Sequence, residues 1–191
     1  MSDLALSIVL GVALAAATGF RVFLPMLIVS GAAYTGHLHL DDSFAWLGTP
    51  SALIMLSVAA VAEVLAYYIP IVDNLLDTVA TPAAFVAGTI VSAAVMIDAP
   101  PMVKWTAAVI AGGGIAGLTQ GMTGILRAHS TVLTVRGNPI IATAELGGAV
   151  LISVLALAAP TIAIALVVVL LIVALRLLRR RFRGARSSGG T

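Results

Sequence analysis

Val61-Ala-Glu63-Val-Leu-Ala-Tyr67-Tyr68-Ile-Pro70-Ile-Val-Asp73-Asn74-Leu-Leu-Asp77-Thr-Val-Ala-Thr-Pro82 places three of the chain's eight acidic residues inside an otherwise apolar stretch. An ionised carboxylate at the centre of a bilayer costs about 2.5–3.5 kcal/mol on insertion scales, so a residue kept there needs a partner or a task. The same question arises at Glu145, which lies in a second apolar region with Arg21 and Arg127 as the available counter-charges. How these charges are accommodated decides what kind of helical protein this is.

Composition answers the first part. Of the 191 residues, 61% are hydrophobic and 9% charged, and the mean hydropathy is +1.14. Soluble domains are about half apolar and a quarter charged, so this composition cannot supply a water-facing surface. Uncharged runs cover residues 4–20, 22–36, 43–62, 78–97, 105–126 and 146–175. A hydrocarbon core takes about 20 helical residues per crossing, and most of these runs meet that length. Barrel strands would alternate polar and apolar residues, and these do not. The expected fold is all-α: a polytopic membrane bundle of about six transmembrane helices in one domain over 1–180. A basic, disordered cytoplasmic tail is expected over 181–191.

The expected helices follow from the breaks. Residues 4–36 carry one charge, Arg21, and would span about 50 Å as a single rod, too long for one crossing. A helix over 4–20 is expected, then a broken or re-entrant segment over 22–36, with a tight hairpin of two crossings as the rival. Further helices are expected over 51–69, from Pro82 as a first-turn proline, over 103–122, from about Ile140, and over 161–178 after a turn at Pro160. Residues 71–80 read as a short amphipathic link. Trp46 and Trp105 read as interfacial anchors.

The net charge of +2 comes from Arg176, Arg179, Arg180, Arg181, Arg183 and Arg186 near the C-terminus, so the basic pI is no sign of nucleic-acid binding. Six crossings put both termini on one face with Arg127, Arg136 and that cluster. Lys104 then stands opposite with Asp41, Asp42 and Asp98. By the positive-inside rule the termini are cytoplasmic, and a seventh crossing would move Asp3 outside. The N-terminus has no cationic region before its apolar run, so a retained first helix is expected.

Cutting at Pro100-Pro101 gives halves 1–99 and 102–180 with some internal likeness. Gly11, Ala15 and Gly19 parallel Gly113, Gly117 and Gly121; Thr18-Gly19-Phe20-Arg21 parallels Thr123-Gly124-Ile125-Leu126-Arg127. Two inverted three-helix repeats would give this pattern, as in many transporters, although glycine and proline recur in any membrane bundle.

The candidate binding residues are Glu63, Glu145, Asp73, Asp77, Arg21, Arg127, Asn74 and Gln120. Glu63 lies seven residues before Pro70 and Glu145 six after Pro139, so on oppositely directed helices both reach similar depth. A shared site for a cation, a proton or a small anionic substrate would need that, while hydrogen-bonded structural glutamates would show it too. Asp73 and Asp77, four apart on one helical face, suit a divalent metal equally with the wet side of an interfacial helix. His37, His39, Asp41 and Asp42 lie in a short loop, where such residues collect simply by being wet. Gly112-Gly-Gly-Ile-Ala-Gly117 matches the dinucleotide fingerprint, but no strand precedes it. Gly113, Gly117 and Gly121 read instead as a helix contact, within the bundle or across a homodimer. No cofactor is implied, and the bilayer is the expected partner.

The run Gly19-Phe-Arg-Val-Phe-Leu-Pro25, the segment from Glu63 to Asp77, Ala111-Gly-Gly-Gly114, Gly137-Asn-Pro139 and Glu145-Leu-Gly-Gly148 resemble a family of small bacterial inner-membrane proteins. That family is catalogued as domain of unknown function 4126. The resemblance implies a multi-pass membrane protein and transfers no catalytic residue. The function expected is a small-solute or ion transporter or channel, the alternatives being a membrane-embedded metal-dependent lipid-handling enzyme or a structural partner subunit.

Overall fold

The structure is a computed structural model that describes residues 3–97, 99–133 and 137–187; side chains are described outside 70–78, 126–141, 174 and 177–187. Among these residues the chain is all-α, with eight α-helices and no strand. They are α1 (Asp3–Thr18), α2 (Phe23–Tyr34), α3 (Pro50–Ala66), α4 (Pro70–Ala94), α5 (Pro101–Ala107), α6 (Gly114–Leu133), α7 (Gly137–Ala158) and α8 (Pro160–Ser187). A 3₁₀ segment, Asp42–Gly48, leads into α3, and a π-helical turn, Ala108–Gly113, joins α5 to α6.

Helix α1 is the centre. Every residue from Gly11 to Thr18 is buried, because α4, α6, α7 and α8 all pack around it. A helix enclosed on all sides needs small residues, and Ala13, Ala15, Ala16 and Ala17 supply them. Close approach is forced at several glycines, Gly11 and Gly88 among them. A Cβ on Gly11 would stand 2.7 Å from Ser92 Oγ, and one on Gly88 would stand 2.4 Å from the Ala116 Cβ.

Contacts fix the direction of each run. Gly88 meets Ala15 and Gly11 meets Ser92, so α1 and α4 are antiparallel. Gly88 meets Ala116 and Gly112 meets Ser92, so the α5–α6 run is antiparallel to α4 as well. Gly148 lies against Phe20, while Ile152 shares a core with Ala16 and Ala17, so α7 opposes α1. Gly31 faces Leu53 whereas Val22 and Phe23 meet Glu63, so α2 opposes α3. Taking α5 to α6 as one run, the chain makes seven runs of alternating direction. The first and last therefore point the same way, and the start of α1 and the end of α8 lie at opposite ends of the bundle.

Several expected boundaries move. Pro70, not Pro82, opens the fourth helix, and Pro82 lies inside it; the amphipathic link expected over 71–80 is helical. Helix α6 runs unbroken through Thr123-Gly124, so the interruption at residues 19–22 has no counterpart at the matching position of the second half. Helix α8 starts at Pro160 and continues through the arginine cluster to Ser187, beyond residue 181 where a disordered tail was expected.

Among the described residues one helical run, Pro101–Ile125, is long and apolar enough to cross a membrane by itself. The 3₁₀ segment and α3, bent by 67°, pass as a pair. Shorter apolar stretches are Asp3–Thr18, Phe23–Tyr34, Val79–Ala94, Ala142–Ala158 and Pro160–Val173.

Candidate functional site at the break between the first two helices

The chain leaves α1 through a tightened last turn. Gly19 N–H donates to the Ala15 and Ala16 carbonyls, and Phe20 N–H to Ala17. Gly19 is required there, since a Cβ would stand 2.5 Å from the Ala116 carbonyl oxygen. Residues 19–22 then turn the chain into α2, and this turn is buried. The start of a buried helix leaves N–H groups that must find acceptors. Pro25 has none to satisfy, and Glu63 takes two of the others: Val22 N–H donates to Oε1 at 2.7 Å and Phe23 N–H to Oε2 at 3.0 Å. Both carboxylate oxygens are thus engaged, at the helix end whose dipole favours negative charge.

Arg21, 1% exposed, lies in the same turn. Its Nη2 donates to the Ala142 carbonyl at 2.9 Å and stands 3.8 Å from Glu145 Oε2, a Coulombic contact beyond hydrogen-bond length. Its Cζ lies 3.9 Å from the centre of the Tyr67 ring. A guanidinium over an aromatic face gains about 2 kcal/mol or more when desolvated. Beside it the Tyr68 hydroxyl and Thr143 Oγ1 are 2.9 Å apart, a second tie between the end of α3 and α7. Three buried charges therefore meet at residues 21–23: Arg21 itself, Glu63 from α3 and Glu145 from α7.

A second polar cluster closes the opposite end of the bundle. Lys104 Nζ donates to Asp41 Oδ2 at 2.6 Å, and Asp41 N–H donates to the Ala94 carbonyl. Phe44 packs on Trp105 with ring centres 6.2 Å apart. The hydrogen bond from Lys104 holds the Asp41 carboxyl below the ordinary carboxylate range, against burial, which pushes it up.

The family described as Domain of unknown function (DUF4126) matches residues 8–180. The chain belongs to that family. No curated protein and no solved structure matches it. The DUF4126 description assigns no activity, so any role for these residues has to come from the chemistry of the site.

Of the candidate residues read from the sequence, Arg21, Glu63 and Glu145 come together. Gln120 is buried on α6, outside the hydrogen bonds just described. The side chains of Asp73, Asn74, Asp77 and Arg127 lie outside the described residues, as does Asp98. Among the described residues no group of three or more His, Cys, Asp or Glu side chains is arranged to hold a metal ion. Asp41 is bound to Lys104, and the His37 ring nitrogen Nδ1 is 2.9 Å from Thr35 Oγ1. The sequence reading missed Tyr67, although it lies four residues after Glu63 and so on the same helical face. The glycine ladder is also displaced. The tight contacts fall at Gly88, Gly112 and Gly113, whereas a Cβ on Gly117 would meet Phe85 at an ordinary 3.8 Å and one on Gly121 would meet nothing within 4 Å among the described residues.

Proposed function

We propose that this DUF4126 chain is a multi-pass protein of a bacterial inner membrane, of transporter or channel type. Arg21, Glu63 and Glu145 would form the site that a proton, a small cation or a small anionic solute engages. One observation carries the reading: charge is inside and hydrocarbon outside. Arg21, Glu63 and Glu145 are 1%, 7% and 4% exposed, while Ile54, Met55, Val58, Val61 and Leu65 project outward from α3. The pattern recurs at Val79 and Val86 on α4, Ile110 and Leu118 on the α5–α6 run, and Ile162 and Val169 on α8. Apolar faces of this extent mark a surface that meets something other than water, and lipid on every side accounts for all of them at once.

The site's form supports transport over a purely structural role. Discontinuous helices whose inner ends carry charged partners are how many transporters build their binding sites. In that scheme the α1–α2 hairpin enters and leaves by one face, and α3, α4, the α5–α6 run, α7 and α8 cross. A proton on Glu63 would leave one full acceptor for the Val22 and Phe23 amides, and a cation would compete with Arg21 for Glu145.

The test is flux through purified protein in liposomes, screening protons, monovalent cations and small anions. Wild type should pass one of these, and Glu63→Gln or Glu145→Gln should abolish the flux. Absence of any flux that these substitutions remove refutes the reading. A second reading, a partner subunit for another membrane helix or a second copy, has one observation in its favour: a Cβ on Gly114 or Gly121 would meet nothing within 4 Å among the described residues. Loss of a complex on detergent gels in Gly121→Leu, with flux unchanged, would favour it.

A further inference from the structure

Helices α2 and α4 do not close on each other. Between them lies a cleft of about 480 Å³, walled by Val22, Phe23 and Met26 on one side and Pro82, Val86 and Ile90 on the other. It opens sideways between Phe23 and Val86, both exposed, so its mouth is continuous with the apolar outer faces of the bundle. Every described side chain that lines it is apolar. Water inside would lack the two to four polar partners that hold an ordered molecule in place. An empty cleft would forfeit dispersion contacts along both walls. An extended peptide segment would bring amide groups with nothing to bond to. Hydrocarbon meets none of these objections, and the volume lies in the range of small-molecule pockets.

We infer that this cleft is a lipid site that takes a single acyl chain of a bilayer phospholipid, resting on the membrane reading above. The position gives the site a consequence. Val22 lines its buried side and Phe23 its mouth, and their N–H groups are the ones that Glu63 holds. A chain in the cleft therefore buttresses the charged turn from its lipid side, and losing the chain removes packing from the residues that seat Glu63.

The experiment uses the full-length protein in phosphatidylethanolamine–phosphatidylglycerol vesicles doped with a phospholipid carrying a diazirine on one acyl chain. After irradiation, adducts are mapped by peptide mass spectrometry. Adducts at residues 22–26 and 82–90 should exceed those on the outward face of α3, residues 54–65, several-fold. Ala83→Trp, which fills the cleft from α4, should remove the excess and leave the α3 adducts unchanged. Ala83→Phe repeats the test should the larger side chain prevent folding, and the wild-type ratio decides without either variant. Even labelling of all outward faces overturns the cleft site while leaving the membrane reading intact. No labelling on any face overturns both.

Discussion

Glu63 does at a distance what an N-cap residue does locally. The first residues of α2 offer no side-chain acceptor of their own, so a carboxylate from α3 supplies two hydrogen bonds and a charge matched to the helix dipole. Glu63→Gln keeps the shape but offers one oxygen to two donors and removes the charge. A buried donor left unsatisfied costs about 1–3 kcal/mol, so thermal unfolding in detergent should fall by an amount in that range. An unchanged melting temperature would mean that the two amide bonds contribute nothing. Asp41 answers to pH instead. Its folded carboxyl lies below the ordinary value because of Lys104. The stabilisation is therefore present above the unfolded-state value and is lost as pH falls through the folded one. Lys104→Met should lower stability near neutral pH and flatten its acid dependence, as melting temperatures from pH 3 to 7 would reveal. Much of this was legible at the residue scale. A glutamate and a tyrosine four apart in an apolar helix announce a polar face. What they face, the turn at residues 21–23, comes from 40 positions away in sequence and carries no local mark, because backbone amides look alike in every sequence.

At the scale of the helices, the glycines distinguish contact from spacing. Residues four apart on an α-helix advance about 400°, so a four-residue ladder drifts about 40° per step and winds off any one neighbour. Gly113 faces α4, Gly117 touches it only loosely, and Gly121 meets nothing within 4 Å among the described residues. The π-helical turn ending at Gly113 shifts the phase of this ladder against α5, and neither effect shows in the spacing alone. Gly88→Ala would bring its Cβ to 2.4 Å from Ala116 and 3.2 Å from the Gly112 carbonyl, where backbone must move. Overpacking of that kind costs about 1–3 kcal/mol. Gly121→Ala meets nothing among the described residues and should gain about 0.5–1 kcal/mol from helix propensity. Paired thermal melts of the two variants check the contrast, and equal effects would refute the assigned contacts. The prolines were ambiguous for a similar reason. Pro70 and Pro82 each suit a first helical turn, and sequence offers no way to choose between them. Only the turn at residues 67–69, drawn tight between Tyr67 and Pro70, fixes the start at the earlier one.

Across the whole molecule, parity is the decisive property. Reading residues 22–36 as a detour from a helix that had already crossed gives an even count and termini on one face. In the structure the detour is α1 and α2 together: the chain runs in along α1, turns at Arg21 and returns along α2 beside α3. A hairpin of this kind adds nothing to the parity, whether or not its tip reaches the far side. The five remaining runs are odd in number, so the start of α1 and the end of α8 lie at opposite ends. The arginines of the last helix, with Arg127 toward the end of α6, mark one end as basic. The other end holds Asp3, Asp42 and the Lys104–Asp41 pair. If the chain spans a membrane as proposed, the basic end is cytoplasmic and the N-terminus is outside. This reverses the placement of the N-terminus expected from the sequence. The chain contains no cysteine, so single cysteines report cleanly. Asp3→Cys should react with an impermeant maleimide in intact spheroplasts, and Ser187→Cys only after permeabilisation. Labelling of both from the same side would refute the hairpin and restore an even number of crossings.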